Sequence, residues 1–206
     1  MLRFFHRKSP EQQFWSWFLK HEDRLFNSRP MDDFWMANMS PRLQRIHKDL
    51  TWETGPAKSG KRELIISADG IIAAFSAVEA LVDAAPPLDR WTIIRFRPRE
   101  PDYAGLRINF GKVSLCADDI ECRLHAHGSV IGIRLYIRGC KEPHEKPFVG
   151  AAFLLLDSAL GEYDMECKAG PIEVLPFDHD PGPRIPFAQL RDEFDSAFER
   201  HCTAQA

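Results

Sequence analysis

Residues 106–138 read LRINFGKVSLCADDIECRLHAHGSVIGIRLYIR, and the alternation in this stretch decides the fold class. Gly111-Lys112 and Gly128-Ser129 are two-residue Gly-X turns of the kind that join antiparallel strands. Folding about the first sets Phe110 against Val113, Ile108 against Leu115 and Leu106 against Ala117 on one face, with Arg107, Asn109, Ser114 and Cys116 on the other. Folding about the second sets Ala126 against Ile131, Leu124 against Ile133 and Cys122 against Leu135, leaving Arg123, His125, His127, Arg134 and Tyr136 outward. A slip of one residue would turn every apolar side chain to water, so the register is well specified. The pattern predicts an antiparallel meander with one buried face.

Upstream, Trp91 to Arg97 is a strand stopped by Pro98, and Glu63 to Ser67 is another, followed by an Asp69-Gly70 turn. Ser76-Ala-Val-Glu79 is a capping box that opens a helix ending before Pro86-Pro87. The first fifty residues are helical in period. Ser9-Pro10-Glu11-Gln12 caps a helix from Pro10 to about Phe26, and Met36, Met39, Leu43, Ile46 and Leu50 mark a second helical region that Pro41 should break or kink unless Ser40 caps a fresh helix there. Downstream, Phe148 to Leu160 is apolar nearly all round, which predicts a central helix ending at Gly161. Ile172 to Phe177 is a last strand. Asp180-Pro-Gly-Pro183 is a rigid loop before a C-terminal helix striped by Phe187, Leu190, Phe194 and Phe198. The expected fold is α+β: a mostly antiparallel sheet, with a meander around residues 91–138, and helices at the N-terminus, centre and C-terminus packed on it. A single domain over residues 1–206 is expected, with residues 1–50 as a candidate helical lobe.

Composition narrows the function classes. The chain has 206 residues, 44% hydrophobic and 28% charged, with 27 Lys and Arg against 30 Asp and Glu, for a formal net charge of -3. Disorder does not fit that balance, and the richest apolar run, Phe148 to Leu156, falls far short of the roughly 18 residues of a membrane helix. Near neutrality argues against a nucleic-acid binder. Locally the balance differs: Arg90 to Lys112 holds six basic residues against two acidic ones, an excess of +4. Cys116, Cys122, Cys140, Cys167 and Cys202 are odd in number, with no C-x-x-C pair, which suits a reducing compartment. Met1 to Lys8 has the charge of a signal peptide, but its apolar part breaks off before about seven residues, so a cytoplasmic protein is expected.

Several strings carry candidate chemistry. Gly55-Pro-Ala-Lys-Ser-Gly60-Lys61-Arg62 matches a phosphate-binding loop except at its last place, where the hydroxyl that holds Mg²⁺ is missing, and a strand follows where a helix should. A basic connection between strands is the better reading. His125 and His127, two apart on one strand, point the same way about 7 Å apart and are a candidate metal pair with Cys116, Asp118 or Asp119 near in sequence, but no spacing pins a third ligand. The outward face gathers Arg107, Arg123 and Arg134, and Arg95, Arg97 and Arg99 alternate along the strand of Trp91 and its exit. Arg123 and Arg134 sit directly opposite each other, an unfavourable pair unless Glu121, Asp119, a ligand anion or an acidic partner lies between. Asp178-His179-Asp180 and Asp157, Glu162 and Asp164 hold acid/base residues whose plainer reading is loop solvation and helix termination. No nucleophile motif is present, and no catalytic residue is assigned. Trp15 and Trp35 fall off the main apolar stripes of the aromatic N-terminal helices, which makes that region a candidate partner or self-association surface.

Glu63-Leu-Ile-Ile-Ser-Ala-Asp-Gly70, Val78-Glu-Ala-Leu-Val-Asp-Ala-Ala-Pro86, Leu88-Asp-Arg-Trp91 and Arg95-Phe-Arg-Pro98, with Leu155-Leu-Asp157 and Leu160-Gly-Glu162, resemble a family of uncharacterised bacterial cytosolic proteins. The resemblance covers most of the chain. It implies a bacterial origin and supplies no activity, cofactor or site residue.

The function expected from these readings is a cytosolic binding or interaction protein. Its Arg/His-rich sheet face, carried by Arg95, Arg97, Arg107, Arg123 and Arg134, would take a small anionic ligand or an acidic protein partner, with no cofactor. One alternative is a metal-dependent hydrolase built on His125 and His127. Another is a toxin-neutralising or regulatory protein, or a homo-oligomer, using the aromatic N-terminal helices.

Overall fold

In the computed structural model, residues 8–30 and 32–205 are described; the basic stretch Met1–Arg7 lies outside them. Ser9 caps the first helix, α1 (Pro10–Asn27), reciprocally: its hydroxyl accepts the Gln12 N–H and the Gln12 side chain accepts the Ser9 N–H. Asp32 caps α2 (Asp33–Leu43) by accepting the Trp35 N–H. The break expected at Pro41 does not occur. Pro41 leaves the Ala37 carbonyl without its helical N–H partner, and α2 runs only two residues further, to Leu43. Strands β1 (Thr51–Thr54), β2 (Arg62–Ser67) and β3 (Trp91–Arg95) form a sheet in that order, β1 antiparallel to β2 and β3 parallel to it. A helix, α3 (Phe75–Asp83), makes the parallel crossover. The capping box expected at Ser76 is not used, because a 3₁₀ turn at Ile72–Ala74 runs straight into α3 at Phe75.

The remaining elements are β4 (Arg107–Phe110), β5 (Val113–Cys116), β6 (Ile120–His127), β7 (Val130–Ile137), α4 (Lys146–Cys167), β8 (Ala169–Pro176), β9 (Ile185–Pro186) and α5 (Leu190–Gln205). Both hairpins have the pairing their turns predict, with Ile108 opposite Leu115 and Leu124 opposite Ile133. They do not join into one meander. β4 and β5 form a two-stranded sheet, while β6 and β7 are the centre of a four-stranded sheet ordered β8-β7-β6-β9. The division comes at the 3₁₀ turn Ala117–Asp119, where Asp119 accepts the Cys116 N–H at 3.1 Å and redirects the chain before β6 begins. β3 belongs to the first sheet, because Phe96 takes a left-handed φ of 62° and ends the strand two residues before Pro98. The class is α+β with mostly antiparallel sheets, β7–β8 being the second parallel pair.

The chain divides into two compact units, Met1–Arg97 and Pro98–Ala206, and the N-terminal helices α1 and α2 belong to the first together with β1, β2, α3 and β3. The core of the first joins Phe14, Trp15, Phe18 and Trp35 to Leu64, Ile66 and Trp91. The core of the second lies between the inner face of the four-stranded sheet and helices α4 and α5, where Cys122, Ile133 and Leu135 meet Leu155, Leu156, Leu190 and Phe194. α4 is bent at Gly161, whose φ of 74° and ψ of 158° interrupt the helix where the sequence predicts its end, and a further turn carries on to Cys167. Among the described residues no helix is long and apolar enough to cross a membrane.

The connection from β8 to β9 starts at one edge of the four-stranded sheet and finishes at the other, so residues 177–184 cross its outer face. Arg184 fastens this crossing. Its guanidinium stacks 3.7 Å from the Tyr136 ring, donates to the Phe177 carbonyl at 2.6 Å and to the Asp180 carbonyl, and faces Glu121 at 3.6 Å. Tyr136, outward in the alternation, is 0% exposed as a result.

Candidate functional site

Each arginine named from the sequence has a partner inside its own unit. In the first unit Arg95 pairs with Asp83, and Arg97 bonds Asp69 at 2.8 Å and Glu53 at 3.4 Å. In the second, Arg107 donates to Ser114 at 3.4 Å and Cys116 at 3.5 Å, Arg123 to Asp180 at 2.8 Å, and Arg134 to Glu173 at 3.1 Å. The five are therefore not one face: Arg95 and Arg97 border the first sheet, Arg107 the β4–β5 hairpin, and only Arg123 and Arg134 share the four-stranded sheet. They stand opposite each other as the register requires, and each is balanced by its own acid, Arg123 by Asp180 and Arg134 by Glu173 on the neighbouring β8, in place of Glu121 or Asp119.

The Asp180 contact is part of a half-buried cluster over the Tyr136 ring. The Tyr136 hydroxyl and Asp180 Oδ1 are both buried without a partner of good geometry. Their proximity, then Arg123, holds the Asp180 carboxyl below the usual carboxylate range. Gly182 lets the crossing come this close: a Cβ there would lie 2.6 Å from Arg123 Nη2, and its φ is +135°.

His125 and His127 share the outer face, with no third ligand beside them among the described residues. Among the described residues no group of three His, Cys, Asp or Glu side chains is placed to hold a metal ion. His125 lies flat across β7, with its Nε2 2.3 Å from where a Cβ on Gly132 would be, and its Nδ1 is buried without a hydrogen-bond partner. The Gly55–Arg62 string is a hairpin connection: Lys58 bridges Lys61, and Ser59 and Gly60 take φ of 51° and 79°. Its Arg62 is buried and bonded to backbone carbonyls. The N-terminal aromatics are also committed, since Trp15 is 3% and Trp35 0% exposed; the exposed large apolar side chains of α1 and α2 are Leu19 and Met36.

The second unit does contain a cleft, of about 560 Å³, beside β6. One wall is β6 from Cys122 to Ala126, a second is the entry to β9 at Pro183, Arg184 and Ile185, and the third is α5 through Glu193, Ala197, Arg200 and His201. The α5 residues fall at i, i+4, i+7 and i+8, one face of a helix. That face adjoins the Phe194 and Phe198 stripe, and its spacing was the available signal for a site the sequence reading missed. Arg123, Arg184 and Arg200, with His125 and His201, line the cleft against a single acid, Glu193. Asp180 and Glu121 balance Arg123 and Arg184. Arg200 is exposed and has no acidic partner among the described residues. His201 bonds the carbonyl of Gly128 and ties α5 to the β6–β7 turn at the same end of the cleft.

No protein-family model, curated protein or solved structure matches this chain.

Proposed function

We propose that this is a binding protein that takes a ligand bearing carboxylate or phosphate groups in the cleft between β6 and α5. The observation that carries the reading is Arg200, an exposed guanidinium without an acidic partner among the described residues, on the wall of a cleft lined by two further arginines. Arginine forks suit planar anions, and a concave site strengthens them by excluding water. All five cysteines are free thiols, which supports a cytosolic setting.

Citrate is a suitable probe. Titrated into ¹⁵N-labelled protein, it should shift the amide signals of β6 and α5 around the cleft. Arg200→Ala should weaken the apparent affinity about tenfold, the effect of roughly 1.5 kcal/mol in a charge-assisted hydrogen bond. Arg134→Ala should leave it unchanged, because Arg134 belongs to a separate pair with Glu173. Equal citrate affinity in wild type and Arg200→Ala would dismiss the cleft as the anion site.

A further inference from the structure

The backbone of β6 narrows the kind of anion. In a hairpin closed by the two-residue turn Gly128-Ser129, the flanking pair His127 and Val130 exchanges hydrogen bonds, and so do alternate pairs beyond it: His125 with Gly132, Arg123 with Arg134, Glu121 with Tyr136. The N–H and C=O groups of Cys122, Leu124 and Ala126 therefore point away from β7. Cys122 meets Ile185 of β9. Two residues before Ile185, opposite Leu124, the chain has Pro183, which has no N–H to donate, and the β6–β9 ladder stops there. Among the described residues no strand pairs with this edge of β6 beyond Cys122. Leu124 is half-buried and Ala126 exposed, and both line the cleft.

An open strand edge facing one side of a helix is the setting in which an extended peptide adds to a sheet as a further strand. We propose that the occupant of the cleft is an extended peptide segment carrying carboxylate side chains, paired through its backbone with Leu124 and Ala126 of β6. The inference rests on the anion reading above and specifies the ligand. A small anion would engage Arg200 and leave the edge amides unused, whereas a peptide strand uses both. The cleft also has polarity: Glu193 and Arg200 are two helical turns apart, about 10 Å along α5, or about three residues of extended chain. The acidic side chain of the peptide belongs at the Arg200 end, by the β6–β7 turn, and an uncharged or basic one at the Glu193 end.

The test passes a pool of capped hexapeptides, each with Glu at one position and Val, Ile, Thr or Ser elsewhere, over the immobilised full chain. A retained peptide is then titrated against ¹⁵N-labelled protein. Hydrogen exchange at the Leu124 and Ala126 amides should slow at least tenfold with the peptide and not with citrate. A copy of the peptide N-methylated at alternate amides should bind at least tenfold more weakly. The peptide assignment is overturned if no member is retained, if both amides stay unprotected, or if the methylated copy binds equally well. It is also overturned if the protein alone is a dimer with the same two amides protected, which would give the edge to a second copy. Should any of these occur while citrate still binds in an Arg200-dependent way, only the peptide assignment falls. Loss of that dependence as well removes the anion reading with it.

Discussion

The guanidinium of Arg62, 1% exposed, donates to the carbonyls of Leu25 at 2.6 Å, Ser28 at 2.9 Å, Phe26 at 3.0 Å and Gly55 at 2.7 Å. Leu25 and Phe26 are in the last turn of α1, where carbonyls lack helical partners and the dipole favours a cation. Burial lowers the pKa of the group, yet arginine stays charged. Arg62→Ala should therefore strand several buried carbonyls and cost at least about 3 kcal/mol in urea unfolding, at ~1 kcal/mol or more for each. Arg62→Lys should recover only part of this, since an ammonium cannot reach the same carbonyls as a planar fork. None of this was legible in the sequence, where Arg62 ends a phosphate-loop-like string; its partners on α1 are 36 and 37 positions away. The opposition of Arg123 and Arg134 was legible, because it follows from a two-residue turn and a parity of two. The carboxylate that balances Arg123 was not, because Asp180 comes from a connection whose path across the sheet no local pattern encodes.

At the scale of elements, the bend of α4 frees carbonyls that two arginines recover. Arg99 donates to Leu160 at 3.0 Å and Arg191 to Ala159 at 2.9 Å. Arg99 also grips Asp164 and, through both terminal nitrogens, Asp195 at 2.6 and 2.7 Å, which links the bend to α5. The hydrogen bonds from Arg99 hold the Asp195 carboxyl below its ordinary 3.8. The unfolded chain thus takes up this proton more readily than the folded one. The stabilisation is complete above about pH 4 and is lost as pH falls through the lower folded-state value. Asp195→Asn should cost about 1 kcal/mol at pH 7, a figure discounted because the Asp195 side chain is 41% exposed. Thermal melts should show its deficit against wild type shrinking as pH is lowered from about 5 to about 3; a constant deficit would mean that the carboxylate charge contributes nothing. Gly161 was read as the end of an apolar helix and is instead a bend inside α4; the turn beyond it, where Arg99 from far upstream bonds Asp164, was not read.

At the scale of the molecule, each of the two units has a hydrophobic core of its own. Residues 98–206 expressed alone should unfold in one cooperative urea transition and keep dispersed amide signals for β6 and β7. A molten spectrum would show that the second core needs residues before Pro98. The α+β class was readable because strand and helix periods dominate different stretches. The boundary at Arg97 was not, because no glycine- or serine-rich linker marks it and Arg95-Phe-Arg-Pro98 passes for one strand and its exit. The crossing at residues 177–184 carries a last consequence. It spans three interstrand spacings, about 14 Å, and a chain of that many residues can extend to roughly 26 Å, so the surplus is taken up in the turn at its start. Its length works as a ruler. It sets the rung of β6 at which Pro183 arrives, and hence how many rungs are left open to another chain. Removing one residue of that surplus would redraw the reach of the cleft without touching a side chain that lines it.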